Sequence, residues 1–274
     1  MRKILITGAG SGLGEALAKK YAKKYANTGA EVCIADVNEE AANVVVQEIQ
    51  SSGGSAFFVK CDITQQWDVD KLVMSVAERW RSIDMLINNA GVATAGKIDA
   101  ETLEQWQWVI DINLLGHIRM TKACLPLLHN SDAKDKAIIN IASQAGLTSA
   151  PGMASYCVTK AAMVSLSETM HLELAVDDIH VAVVCPAFFD TNLNKSLRTS
   201  DKKMEAVVTK MIKKSGVSAS EIADKVFDAV NNKKFMIITH KSGRSAYRLK
   251  RFLSMERYLN IVKKRTAKYV KKST

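Results

Sequence analysis

Residues 3–20 read KILITGAGSGLGEALAKK. An apolar run meets TGAGSGLG at 7–14, a stretch almost without side chains, and a helical pattern follows. Gly8, Gly12 and Gly14 stand at the crossing. Each has a physical reason to be there: a tight turn, a close backbone approach to an anion, and close helix–strand contact. The helix that follows offers free N–H groups and the positive end of its dipole, which suit a pyrophosphate. Asp36 ends the next strand-like run, VCIAD. A carboxylate there accepts hydrogen bonds from both hydroxyls of an adenosine ribose. It would also repel a 2′-phosphate, and Ser11 and Val37 are neutral where a basic residue would help. The loop therefore favours NAD(H) over NADP(H).

Working outward, short β-branched runs alternate with longer helical patterns over the first 190 residues. The strand candidates are KILIT, EVCIAD, AFFVKCD, MLINNAG, AIINIAS and VAVVCPA, with a seventh, KKFMIITH, after a helical stretch at 220–231. The connections are long enough for helices, so the pattern predicts a parallel sheet wrapped on both faces. The strands are apolar throughout rather than alternating, as a sheet covered on both faces requires. The expected fold is α/β, a single-domain Rossmann fold with a doubly wound parallel sheet of about seven strands. The dinucleotide-binding and catalytic domain is assigned to residues 1–240, with a tail at 241–274.

The net charge of +10 belongs to that tail, which carries 12 Lys or Arg against the single acid Glu256. The five cysteines are odd in number, form no CxxC pair and fall largely in apolar runs, which reads as buried reduced thiols. No uninterrupted apolar stretch approaches the roughly twenty residues of a spanning helix. The start, MRK, leads straight into a strand with no room for a signal peptide. A cytoplasmic location is expected. The histidines show no ligand spacing, so no metal is predicted.

Four further pieces carry chemistry. INNAG at 87–91 ends the fourth strand, where ligands gather on a parallel sheet. Asn113 lies in a helical stretch, and Ser143 falls just past a strand. Tyr156 and Lys160 are four apart, on one face of a helix. A phenol with a pKa near 10 is a poor base at neutral pH. A neighbouring ammonium favours the phenolate, and a serine hydroxyl can hold the reacting oxygen.

With TGAGSGLG, CDIT, NNAG, Asn113, Ser143, YCVTK and CPAFFDT in this order, the chain resembles the short-chain dehydrogenases/reductases over residues 3–240. The resemblance implies that Tyr156 is the acid/base and that Lys160 lowers its pKa and holds the nicotinamide ribose. It implies that Ser143 orients the substrate and that Asn113 supports a proton relay through water and Lys160. Cofactor contacts are implied at Gly8, Ser11, Gly12, Leu13, Gly14, Asp36 and Val37 around the loop. Asp62 and Ile63 would flank the adenine, while Asn89, Ala90 and Gly91 would line the cleft. Pro186 and Thr191 would lie beside the nicotinamide, Thr191 meeting its carboxamide. A homodimer or homotetramer is implied as well. Two departures stand out: Ala187 occupies a position usually held by glycine, and the first helix repeats a KKYA unit, an insertion of about one helical turn.

The substrate lid is expected at about 192–215, with Met204, Val207, Val208, Met211 and Ile212 at helical spacing. It would suit an apolar or lipid-like alcohol or ketone, although a plain packed helix has the same pattern. The tail interleaves Tyr247, Leu249, Phe252, Leu253, Tyr258, Leu259 and Ile261 with basic residues. Such a helix can fold against the domain or lie peripherally on an anionic membrane, and no specific nucleic acid is expected. The leading function is an NAD(H)-dependent oxidoreductase on a secondary alcohol and its ketone. The alternatives are an NADP(H)-dependent ketoreductase of the same fold and a cofactor-binding sensor or scaffold localised by its tail.

Overall fold

The structure is a computed structural model that describes residues 1–25, 29–190, 196–199 and 202–267. In chain order the first half runs β1 (Arg2–Thr7), α1 (Gly12–Lys24), β2 (Ala30–Asp36), α2 (Glu39–Ser51), β3 (Ser55–Lys60), α3 (Gln66–Trp80) and β4 (Met85–Asn88). Then come α4 (Leu103–Ile110), a π-helical turn (Asp111–Gly116), α5 (His117–His129), β5 (Ala137–Ile141), α6 (Gln144–Leu147), α7 (Ala154–Glu173) and β6 (His180–Val184). The chain continues through α8 (Lys202–Lys214), α9 (Ala219–Asn231), β7 (Met236–Ile237), α10 (Lys241–Phe252) and α11 (Met255–Thr266).

The seven strands form one all-parallel sheet in the order β3-β2-β1-β4-β5-β6-β7. The order reverses between β1 and β4, which opens a crevice at the carboxyl edge of the sheet. The apolar strands are explained by two cores. Ile4, Ile6, Val32 and Ile34 point into one with α1, α2 and α9. Leu5, Cys33, Ala35 and Leu86 point into the other with α3 and α5. Period two sends alternate residues to opposite faces, so a strand covered on both sides must be apolar at every position. All five cysteines are free and buried.

One strand is shorter than the sequence suggests. KKFMIITH pairs with β6 only at Met236 and Ile237. Lys233, in the left-handed region at φ 53°, turns the chain just before, and α10 begins just after. The repeated KKYA turn packs inward as well as outward: Tyr21 meets Phe227 of α9 edge-on at 5.1 Å, and Lys20 pairs with Asp224. The tail also folds back. Tyr247 packs beside Leu147 and Cys185, and Lys250 Nζ donates to the Leu147 carbonyl at 2.7 Å.

Candidate active site

A cleft of about 840 Å³ follows the carboxyl ends of the strands. Its first wall is the glycine loop. Gly8 has φ +63°, and a Cβ there would lie 2.6 Å from Ala90 Cα. At Gly14 a Cβ would lie 2.3 Å from the Gly8 carbonyl oxygen and 2.4 Å from Asn89 Nδ2. Only hydrogen fits at these two positions, and the bare backbone is what lets the loop fold onto the NNAG segment. Asn89 fastens the two together, its Nδ2 donating to the carbonyls of Thr7 and Gly8 at 3.0 and 2.9 Å. Ser11 is the N-cap of α1, but its side chain makes no capping bond. The first-turn N–H groups therefore keep donors available for an anion.

Asp36 closes the far end. Its Oδ2 accepts from Gly10 N at 2.8 Å and its Oδ1 from Asn38 N at 2.9 Å. Gly8, Ser11, Gly12, Leu13, Asp36 and Val37 all line the cleft, as do Asp62 and Ile63. Asn89, Ala90, Gly91, Tyr156, Lys160 and Pro186 line it further along. Asp62 Oδ1 is engaged by the backbone and hydroxyl of Thr64. Gly14 sits behind the loop, and Thr191 lies outside the described residues, together with 192–195 and 200–201 of the expected lid. These features test the fit of a dinucleotide: a side-chain-free cradle, an uncapped helix start and a carboxylate one strand away. They accommodate it.

Tyr156 and Lys160 project from α7, Ser143 from the start of α6. Burial pushes the Tyr156 phenol up to about 12, and a hydrogen bond from Ser143 pulls against that rise. Lys160 Nζ stands 5.9 Å from the centroid of the Tyr156 ring and donates to the Ile141 carbonyl at 2.9 Å. Burial drops Lys160 to about 8. The downward pull on Tyr156 comes from Ser143 rather than from Lys160. Ser143 caps α6 by accepting from Ala145 N at 3.1 Å, and its hydroxyl reaches toward the Pro186 carbonyl at 3.5 Å.

Asn113 is fully buried in the π-helical turn, a feature that recurs at functional sites. Its amide is spent on Val92: Oδ1 accepts from Val92 N and Nδ2 donates to Val92 O, both at 2.9 Å. Gly91 packs closely against both side chains: a Cβ there would lie 3.2 Å from Asn113 Oδ1 and 3.5 Å from Lys160 Nζ. One turn on, His117 Nε2 lies 2.6 Å from the Ala90 carbonyl. Burial first, and Lys160 second, lower His117 to about 3, so its ring is neutral and donates.

Sequence reading did not single out Gly10, Trp108, Phe189 or Ser196, which also line the cleft. Gly10 and Phe189 carried a signal within the quoted TGAGSGLG and CPAFFDT stretches, and the WQW of α4 marked an unusual concentration of indoles. Ser196 carries no local signal. Over the mouth, Arg198 stacks on Trp108 at 3.7 Å, and Thr94 bridges to Arg198. Met204, Val208 and Ile212 of α8 bury themselves against Ala95, beside Phe188 and Leu197. Among the described residues, no three His, Cys, Asp or Glu side chains group to hold a metal ion, and no helix is long and apolar enough to cross a membrane.

A doubly wound sheet with a dinucleotide cradle and a Ser–Tyr–Lys cluster at its carboxyl edge defines a nucleotide-dependent oxidoreductase. The family model for short chain dehydrogenase matches residues 2–202, and the chain belongs to that family. The chain is 33% identical over 229 residues to the CLA biosynthesis dehydrogenase/reductase of Lactiplantibacillus plantarum, covering 77% of this chain and 80% of that protein. To the 3-oxoacyl-[acyl-carrier-protein] reductase of Synechocystis sp. it is 36% identical over 194 residues, covering 70% and 76%. A solved short-chain dehydrogenase/reductase of Burkholderia phymatum, in complex with NAD, superposes with a TM-score of 0.83 at 28% identity, covering 91% of this chain and 92% of that one. The protein is an oxidoreductase acting on CH–OH groups, and its family binds a nicotinamide cofactor. Enzymes of this family act on small molecules and often form oligomers.

Proposed function

We propose that the chain is an NAD(H)-dependent dehydrogenase/reductase that interconverts an apolar or lipid-like secondary alcohol and its ketone. The observation that carries this reading is the meeting of Tyr156 and Lys160 in the same cleft as the glycine loop and Asp36, with the Ser143 hydroxyl hydrogen-bonded to Tyr156. Bound NAD(H) supplies the hydride acceptor or donor. Ser143 holds the reacting oxygen, and Tyr156 moves the proton at that oxygen through its phenol. Lys160, with a pKa of about 8, exchanges protons near neutral pH and stores the one that Tyr156 gains or loses. Asn113 acts by fixing Val92 and the π-helical turn beside Lys160, and so supports a proton relay through water and Lys160. Tyr156 packs with Ala93, Met153 and Cys157 in an apolar cluster joined by Phe188 and Leu197, so the body behind the phenol is apolar, which favours a lipophilic substrate. Helix α8, which buries Met204, Val208 and Ile212 beside Phe188 and Leu197, forms the lid over it. The working unit is a homodimer or homotetramer.

Asp36 carries the cofactor choice. Its carboxylate lies where a 2′-phosphate would be repelled, and like charges brought together at a binding site cost several kcal/mol. NADH and NADPH are titrated against the purified protein at one salt concentration, following nicotinamide fluorescence. NADH should bind at least about tenfold more tightly. Tighter NADPH binding would assign the chain to the NADP(H)-dependent ketoreductases of this fold. Binding of neither would leave a scaffold or sensor as the better reading.

A peripheral membrane position is part of the proposal. Phe252, Met255 and Leu259 are 85%, 50% and 54% exposed at the junction and outer face of α10 and α11. They stand among the basic residues that give the tail its charge, the pattern of a helix seated on an anionic lipid surface. The protein is expected in the cytoplasm, on the inner side of that surface.

A further inference from the structure

Behind the cleft wall formed by Pro186, a set of contacts runs to the start of α10. The Pro186 carbonyl accepts from Gln144 N at 2.7 Å and faces the Ser143 hydroxyl. The next residue, Ala187, donates its N–H to His240 Nδ1 at 3.2 Å. Thr239 Oγ1 lies 2.9 Å from the same nitrogen. His240 is the N-cap residue of α10, and that helix is fastened to the catalytic side of the domain. Arg244 donates to the Ile238 carbonyl at 2.8 Å, Lys250 holds Leu147, and Gly243 lies so close to Gln144 that a Cβ would fall 2.3 Å from its Oε1. His240 thus hangs from a fixed helix and grips the loop that carries Pro186 and Phe189 into the cleft.

We propose that His240 is a positioning residue for the loop at 186–189, its unprotonated Nδ1 holding the Ala187 N–H and so fixing the cleft wall beside Ser143. This rests on the dinucleotide reading of the cleft for its effect on binding, but not for the contact itself. Accepting at Nδ1 places the neutral ring's proton on Nε2. A second proton would have to enter at Nδ1, where it meets the Ala187 N–H head-on. The ring would then donate to Thr239 Oγ1, the acceptor already in reach, and release the loop. The groups around His240 favour the neutral state. Burial leads, followed by the cations Lys225 of α9 and Arg244 of α10, against the Phe188 carbonyl, which favours a proton. The loop at 186–189 contributes no ionisable side chain. The grip is therefore complete at neutral pH and is lost as pH falls through a value below the ordinary histidine range.

The full-length protein and its His240→Asn and His240→Leu variants are titrated with NADH by fluorescence from pH 8 to 5, read within minutes of mixing. Their thermal unfolding is recorded over the same range without ligand. Asparagine can accept from Ala187 but does not titrate, whereas leucine can do neither. In the parent, NADH affinity should fall about five- to tenfold toward acid, the effect of one buried hydrogen bond. His240→Asn should stay flat within about twofold, and His240→Leu should be as weak at pH 8 as the parent at pH 5. An equal acid response in the parent and His240→Asn overturns the proposal, as does full-strength binding by a folded His240→Leu. If the parent binds no NADH at any pH, the dinucleotide reading fails. The ligand-free melting curves then decide alone: the acid loss of stability must shrink in His240→Asn, or His240 does not hold the loop.

Discussion

A lysine ammonium kept inside a protein works against folding unless chemistry requires it. Lys160 is 4% exposed, finds one backbone carbonyl as partner, and has a pKa drawn down from 10.5 to about 8. A base with a lowered folded pKa binds more protons when unfolded, so stability rises as pH climbs from about 8 to 10.5 and is forfeited below that window. At neutral pH the residue is a liability of about 3 kcal/mol before its bond to Ile141 is counted. Lys160→Met should therefore raise stability by about 1–2 kcal/mol in urea unfolding at pH 7, while turnover falls by about 100-fold or more. A variant that lost both would mean that the Ile141 contact outweighs desolvation. The opposed signs are the mark of a residue retained for catalysis.

At the scale of an element, the exact placing of α7 decides where Tyr156 points. The N-cap of that helix is Met153, whose side chain cannot cap. Glu101, from the turn before α4, takes over: its carboxylate accepts from Ser155 N at 3.2 Å and from Ser155 Oγ at 2.9 Å. Thr94 Oγ1 lies 2.6 Å from the same hydroxyl. A buried carboxylate at a helix start satisfies an orphan donor and complements the dipole. Glu101→Ala should cost about 1–2 kcal/mol and lower kcat, because the first turn bearing Tyr156 loosens. Glu101→Gln keeps an acceptor and should lose less on both counts. Urea unfolding and initial rates, measured together, check this; equal losses in the two variants would remove the capping role. Nothing in the local sequence marks Glu101, since its partner is 54 residues away. The glycine loop was legible for the opposite reason: its constraint is backbone geometry within one βα unit, which residue type alone reveals. Tyr156 and Lys160 were legible because helix periodicity places them together. His117 and His240 were not, because each acts on a loop contributed by a distant strand.

The whole molecule divides its charge unevenly, and here sequence and structure give complementary halves of one argument. Composition located the basic residues in the tail, but could not say whether its apolar positions were spent on the domain. They are in part: Tyr258 is buried and Tyr247 packs near Leu147, whereas Phe252, Met255 and Leu259 remain exposed. Those three, flanked by Arg251 and Arg257, make the surface proposed to meet an anionic bilayer. Vesicles of phosphatidylcholine containing phosphatidylglycerol should carry the full-length protein to the top of a density gradient at low salt. Vesicles of phosphatidylcholine alone should not. Raising the salt to about 0.5 M shortens the screening length to a few ångströms and should release most of it. A chain ending at Leu253 retains α10, so it should keep its NADH affinity while losing most of its vesicle binding. Ending the chain at His240 instead removes Gly243, Tyr247 and Lys250 from the back of α6, and both NADH affinity and melting temperature should fall. Full-length protein that ignores anionic vesicles would confine the tail to its structural part, behind Ser143.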